Sequence, residues 1–477
     1  MSLLKGCFLK VDSVLLLRVS SPVDKGVDHP QFFDPPYPLK YLEAGLKQYP
    51  GVQVRLIDCW IEPKDVSGMI EETARTAADL VVVSASSFDV GVADDYVARV
   101  KRQEKSPLII GIGQGYYLNG IPVRDFSAYD TFLLGEPEEE FFRLFEQIRN
   151  EINGDWRHQY HRLYMEGRRF TVEQPDRLSF PAYSREELNT YRSIFPVRLS
   201  RRVLWGYLIA TRGCPHNCMF CSEVMRVSTG KRLRLRSASN VVDEMEHLGR
   251  LGANICSFQD DSFSASRRFV ESLCKEIVAR NLKMPWMARV RVDELSYDLL
   301  ALMRKAGCVM LGIGVESGSE RIIKIMKKQQ SSKPWADRCR EIFRWTRQLG
   351  IGTNAYYVLG NPTETREEIE ETIRLALELN SDSIQVHFYT PYPGSSAWEL
   401  YQNELDGCDP SAMFHYAKPN FSLAAVSPED LVKIRSRFYQ RYLFRPGFAL
   451  NHFRHYGSFY LHNPDILWRL LGIRKIL

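Results

Sequence analysis

The chain of 477 residues carries 63 Lys and Arg against 58 Asp and Glu, and is 44% hydrophobic and 25% charged. It exceeds one ordinary hydrophobic core, so two or three domains are expected, and the composition excludes fibrous and disordered classes. A net charge of +5 is too small over this length to argue for nucleic acid as a partner, and no run reaches the roughly 18 apolar residues of a membrane span.

The opening MSLLKGCFLKVDSVLLLRVS contains an apolar run, but Asp12 interrupts it and Arg18 stands where a small-residue cleavage site would be expected. It reads as a buried strand, and the protein as cytoplasmic. Runs rich in Val, Ile and Leu lie at 13–19, 52–57, 79–84, 107–112 and 130–134, separated by helical patterns such as LKYLEAGLKQY and DDYVARVKRQE. This α/β alternation predicts a doubly wound, Rossmann-type parallel sheet over residues 1–150. Such sheets bind ligands at the carboxyl ends of their strands, here VSSP, SASSFD, GIGQGY and LGEPEEEF. The candidate residues there are Ser84, Ser86, Gly113, Gly135 and Glu136. The run Gly111, Gly113, Gly115 lacks the dinucleotide fingerprint's spacing, which argues against a nicotinamide cofactor.

Residues 151–200 read as a linker packed on its neighbours. A second series over 201–400 has strands expected at 203–211, 255–260, 286–292, 309–315, 353–360 and 383–390. Six β/α units fall short of eight, so a partial (β/α)6 barrel is predicted, with Gly252, Gly307 and Gly350 as left-handed helix ends. Residues 401–477 read as a small, mostly helical region closing the barrel mouth. The final ILWRLLGIRKIL is, on a competing reading, an amphipathic segment suited to peripheral membrane contact.

Of ten cysteines, seven (Cys7, Cys59, Cys256, Cys274, Cys308, Cys339, Cys408) lie singly in apolar segments and read as small buried hydrophobes. The other three, Cys214, Cys218 and Cys221, share the loop TRGCPHNCMFCSE with His216. Thiolate zinc sites usually take two Cys pairs or add histidines at fixed spacings, whereas this run stands alone. A four-iron cluster takes thiolates at its iron corners, so three cysteines leave one iron for another ligand. The loop follows the first strand of the second series, where barrels build active sites. Asp260 and Asp261, Arg289 and Arg291, and Glu316 and Ser317 stand at the next strand ends; each has a competing structural use as a cap, turn or salt bridge.

The C-x3-C-x2-C loop, with Phe220 before its last cysteine, resembles the signature of the radical S-adenosylmethionine (SAM) enzymes. RLRSASNVVDEM, FQDDSF, GIGVESGS, YYVLGNPTETREEIEETI and TPYPGSSAW resemble counterparts in members with an N-terminal cobalamin-binding domain, the class B methyltransferase type. The resemblance implies a [4Fe-4S] cluster on Cys214, Cys218 and Cys221 whose fourth iron binds SAM. SAM is then expected near Phe220, Ser237, Asp260, Arg289, Glu316 and Ser317, and cobalamin near Ser84, Ser86, Gly113, Gly135 and Glu136. The motif Asp-x-His-x-x-Gly is absent and His29 is the sole histidine of the first 150 residues, so cobalamin is expected base-off without a histidine ligand. The implied activity is methylation of an unactivated carbon of a small molecule, with an external electron donor such as flavodoxin or ferredoxin and no nucleic acid. Cyclisation or ring rearrangement without methyl transfer is the alternative. No catalytic side chain is assigned.

Overall fold

A computed structural model describes residues 11–20, 34–86, 89–113, 116, 128–150, 156–193, 196–221, 230–329, 332–392, 395–405, 408 and 418–466. The chain divides into two compact units; the first reaches Ala182 and the second comprises most of the chain from Tyr183 onward.

In the first unit, β1 (Ser13–Arg18), β2 (Gln53–Asp58), β3 (Leu80–Ser84), β4 (Leu108–Ile112), β5 (Thr131–Gly135) and β6 (Arg169–Phe170) form one parallel sheet in the order β2-β1-β3-β4-β5-β6. Side chains of successive strand residues point to opposite faces, so the apolar runs feed two separate cores. Leu15, Leu17, Val81, Val83 and Ile109 pack with Met69, Tyr96 and Val97 on one face. Val14, Leu16, Val82 and Ile110 pack with Leu39, Leu42, Phe141 and Phe145 on the other. β6 comes from the stretch read as a linker. It docks because Gly135, at φ 96°, lets the backbone of β5 meet Phe170; a Cβ there would lie 2.3 Å from the Phe170 carbonyl oxygen. Glu136 completes the join by accepting the Val172 N–H at 2.6 Å.

In the second unit, β7 (Trp205–Leu208), β10 (Ile255–Phe258), β11 (Trp286–Arg291), β12 (Cys308–Glu316), β13 (Gly352–Leu359) and β14 (Ser383–Phe388) pair in chain order, all parallel. β8 (Thr211–Arg212) and β9 (Arg234–Leu235) form a separate antiparallel pair. No pairing joins β7 to β14 among the described residues, so the sheet is a partial barrel. Ser237, Ser266, Ser296, Ser319 and Thr365 cap the intervening helices, each accepting a backbone N–H. Gly252, Gly307 and Gly350 have φ of 106°, 95° and 69°, as expected of left-handed helix ends. Cys59, Cys256, Cys274, Cys308 and Cys339 are buried, and burial pushes the Cys59 and Cys274 thiols up to about 12. Cys408 is half-buried, and Cys7 lies outside the described residues.

Two helices end the described chain. Pro428–Leu443 runs beside β13 and β14, where the Tyr439 hydroxyl accepts the Val386 N–H at 3.0 Å and Phe438 packs on Tyr357. Pro446–His462 crosses the amino-terminal rim of the sheet. There His452 Nδ1 donates to the Asp382 carbonyl at 3.2 Å, while Asn463 accepts the Val203 N–H and donates to the Arg201 carbonyl, both at 3.0 Å. This corrects the expectation that the region closes the mouth. The reason is local: buried Tyr456, Phe459 and Asn463 satisfy the apolar surface and orphan backbone groups where the strands begin. All of ILWRLLGIRKIL after Ile466 lies outside the described residues.

Candidate active site

The loop that carries the three cysteines leaves the carboxyl end of β7 through a narrow neck. Thr211 and Arg212 pair with Leu235 and Arg234, and Cys214 donates its N–H to the Gly230 carbonyl at 3.2 Å. Gly213 sits at φ 87°, where a Cβ would lie 2.3 Å from the Arg232 carbonyl oxygen. Asp260, just past β10, fixes the neck from the side: its Oδ1 accepts the N–H groups of Ala210, at 3.1 Å, and Thr211. Its Oδ2 is buried and meets no partner among the described residues, and burial pushes the carboxyl up to about 7.

Beyond the neck, Cys218 is buried and Cys214 and Cys221 are half-buried. Burial pushes the Cys214 thiol up, opposed by a backbone N–H from His216. Arg291, at the end of β11, donates from Nη1 to Cys218 Sγ at 3.0 Å. Its guanidinium is gripped by Asp293, with Nε to Oδ1 at 3.1 Å and Nη2 to Oδ2 at 2.9 Å, and also donates to the Lys328 carbonyl at 2.5 Å. Lys328 in turn donates from Nζ to Glu316 Oε1 at 2.7 Å and lies 5.5 Å from the centre of the Phe220 ring. Burial is the largest influence and acts to lower the Lys328 pKa, but the Glu316 carboxylate and the Cys218 sulfur together outweigh it and the net shift is upward. Glu316 adopts φ 66° where the β12–β13 register shifts, and a Cβ on Gly314 would stand 2.3 Å from Oε1 and 2.8 Å from Lys328 Nζ. Glycine at 314 is thus the condition for the buried ion pair. His216 Nε2 bonds Glu294 Oε1, and Glu294 Oε2 also accepts the Ser264 hydroxyl, tying the loop to β11.

Among the described residues no three His, Cys, Asp or Glu side chains form a group that could hold one metal ion. A four-iron cube makes a different demand, because each thiolate takes its own iron corner and the three need not converge on a point. One loop bearing three thiols, with a guanidinium already donating to one sulfur, fits that donor set.

The structure links Cys218 through Arg291 to Lys328, and Lys328 to Phe220 and Glu316, while other candidate residues are engaged elsewhere. Ser317 is buried and bonds Thr372 Oγ1 at 3.1 Å and the Ser319 N–H at 3.2 Å, a turn-forming role. Ser237 caps the helix Ala238–Leu251 from an exposed position. On β11 it is Arg291, two residues after Arg289, that reaches the cysteine. Asp293, Lys328 and Glu294 were missed; Lys328 stands 12 residues after Glu316 with no spacing to betray it.

In the first unit the order β2-β1-β3 creates a switch point, since the chain leaves β1 toward opposite sides. Ser84 and Ser86 lie at the carboxyl end of β3, and Gly113, at φ 103°, follows β4. A Cβ on Gly113 would lie 2.7 Å from the Ala85 carbonyl oxygen, and the Ser86 hydroxyl donates to Asp89 Oδ2 at 2.5 Å. Gly135 and Glu136 serve the β6 junction described above. A 160 Å³ cavity lined by Thr353, Asp382 and His452 lies at the opposite strand ends from the cysteines.

Residues 208–376 match the model of the radical SAM superfamily. The chain is 25% identical over 434 residues to an uncharacterized methyltransferase of Pyrococcus horikoshii, covering 89% of this chain and 91% of that protein. It is 24% identical over 413 residues to the anaerobic magnesium-protoporphyrin IX monomethyl ester cyclase of Cereibacter sphaeroides, covering 84% of this chain and 64% of the relative. Its fold matches that of the radical SAM methyltransferase TsrM from Kitasatospora setae, solved with cobalamin and a [4Fe-4S] cluster bound, at a TM-score of 0.66 and 17% identity over 92% of this chain and 90% of that one. Residues 208–376 therefore carry the match to the radical SAM superfamily, and the chain as a whole shares the fold of the cobalamin-binding radical SAM methyltransferase TsrM.

Proposed function

We propose that this protein is a cobalamin-dependent radical SAM methyltransferase that acts on an unactivated carbon of a small molecule. The reading rests on one observation: a three-cysteine loop at the carboxyl end of β7, with a buried cation donating to one sulfur. When bound, a reduced [4Fe-4S] cluster supplies the electron that cleaves SAM, and cobalamin supplies the methyl carrier.

In this reading Cys214, Cys218 and Cys221 hold the cluster, and Arg291 donates to the Cys218 sulfur while Asp293 fixes its orientation. Asp260 Oδ2 is the acceptor assigned to a SAM hydroxyl, since no described residue meets it. Phe220 and Arg289 complete that pocket, with Glu316 aligned by Lys328. Ser84, Ser86 and Gly113 line the cobalamin side, base-off, with residues 1–150 as its domain and 201–400 as the SAM domain. A flavodoxin or ferredoxin delivers the electron in the cytoplasm.

Cyclisation without methyl transfer is the second reading, favoured by the cyclase relative. Anaerobic reconstitution with iron, sulfide and cobalamin, followed by reduction with dithionite and chromatography, is the test. Methyl transfer requires S-adenosylhomocysteine beside 5′-deoxyadenosine, and label from methyl-labelled SAM in the product. Deoxyadenosine without homocysteine product favours cyclisation, and neither product overturns both.

A further inference from the structure

The helix Pro446–His462 is apolar on two sides. Its inner side, with Tyr456 and Phe459, is buried against the amino-terminal rim of the second sheet. On its outer side Leu450, Phe453 and Leu461 are 72%, 72% and 80% exposed, and Phe444 just before it is 78% exposed. At 100° per residue, positions 450, 453 and 461 fall on a single stripe. These four are the most exposed large apolar side chains of the described chain. A helix with apolar residues all round is ordinarily covered all round, and a clustered uncovered stripe marks an interaction surface.

Charge identifies what covers it. From Leu431 to the final Leu477 there are nine Lys and Arg and one acidic residue, Asp465, whereas the whole chain holds 63 basic and 58 acidic residues. Some of these cations are balanced locally, Lys433 by Asp430 and Arg441 by Glu370. Arg454, however, stands exposed next to Phe453, and Arg469, Arg474 and Lys475 follow in ILWRLLGIRKIL. A second copy of this chain would set two like-charged faces together, which repel. A nucleic acid would match the charge but would leave the leucines without purpose. Exposed apolar side chains beside a cation, here Arg454, with further Arg and Lys following in the sequence, are the pairing that enters the headgroup region of an anionic bilayer. No described helix is long and apolar enough to cross a membrane, so contact is with one leaflet.

We infer that the outer face of helix Pro446–His462 docks on an anionic lipid surface. The test is flotation of the full-length protein with phosphatidylcholine vesicles and with vesicles of equal parts phosphatidylcholine and phosphatidylglycerol. The expected result is binding to the anionic vesicles alone, weakened by salt and reduced at least tenfold by the triple substitution Leu450→Ser, Phe453→Ser, Leu461→Ser. These side chains are exposed, so the thermal midpoint should hold, and Arg454→Glu provides a variant that leaves the apolar stripe intact. Equal binding to neutral vesicles, no binding, or an unaffected triple variant overturns the inference. A dimer seen by light scattering that the triple variant dissociates would assign the face to a second copy instead, and RNA binding lost in Arg454→Glu would assign it to nucleic acid.

Discussion

The two parallel sheets equip their strand ends by different means. At the carboxyl ends of the second sheet the chain concentrates buried charge: Arg291 with Asp293, and Lys328 with Glu316, beside Cys218. At those of the first sheet Arg18 pairs with Asp58 on the β1–β2 side, while the ends of β3 and β4 use serines and left-handed glycines, and Asp89 is engaged by Ser86. Buried ion pairs are costly to assemble and strongly destabilising to break, which suits a site that must hold charge steady during electron transfer. Small residues and close backbone approach suit a site that must accommodate a large ligand by shape.

The largest effect that would separate the two regions is on the cysteine loop. Cys221→Ala should abolish SAM cleavage and lower the iron bound per chain, while cobalamin bound to the first unit, read by its visible spectrum, remains. Loss of both would mean the two regions are not independent. Next come paired glycine substitutions. Gly314→Ala should displace the Glu316–Lys328 pair and cost about 1–3 kcal/mol. Gly113→Ala, at φ 103° against the Ala85 carbonyl, should cost a similar ~1–3 kcal/mol but weaken cobalamin binding instead. Denaturant titrations with cofactor-binding measurements distinguish them, and identical profiles would erase the contrast.

A smaller effect is expected from Arg291→Met. The cluster should still assemble, but loss of the N–H···S bond and its positive charge should move the midpoint potential to more negative values in an EPR-monitored titration. An unchanged potential would reduce Arg291 to a packing role. The smallest effect concerns Asp260. Its pKa is raised from 3.8 to about 7 by burial, so its contribution to stability is full below about pH 4 and is lost as pH rises through about 7. Asp260→Asn retains an acceptor for the neck N–H groups without the charge. It should flatten the fall in melting temperature between those limits, by on the order of a few degrees.

Much of this architecture was legible because buried parallel strands require runs of Val, Ile and Leu, and eleven strands, β1–β5, β7 and β10–β14, fall within such runs or within one residue of their edges. β6 was not legible, since two residues carry no period, and neither was the β8–β9 pair, whose partners lie on either side of the cysteine loop. The cysteines declared themselves by spacing. Their supporting cation did not, because period-two alternation says only that Arg289 and Arg291 share a face; Asp293 and the Lys328 carbonyl decide which one is held at the sulfur. Ser317 looked like a ligand group for the same reason: its partner Thr372 lies 55 residues away.

The helix across the amino-terminal rim also constrains how a substrate could arrive. β12 spans nine residues, a length of about 30 Å at 3.3 Å per residue. A chain resting on a leaflet by its exposed stripe would hold the cysteine loop that far along the strand axis, on the side turned toward water. Attachment would then set the enzyme's address while its substrate diffuses in from the aqueous phase, and a lipid embedded in the same leaflet would have no direct route to the reacting centre.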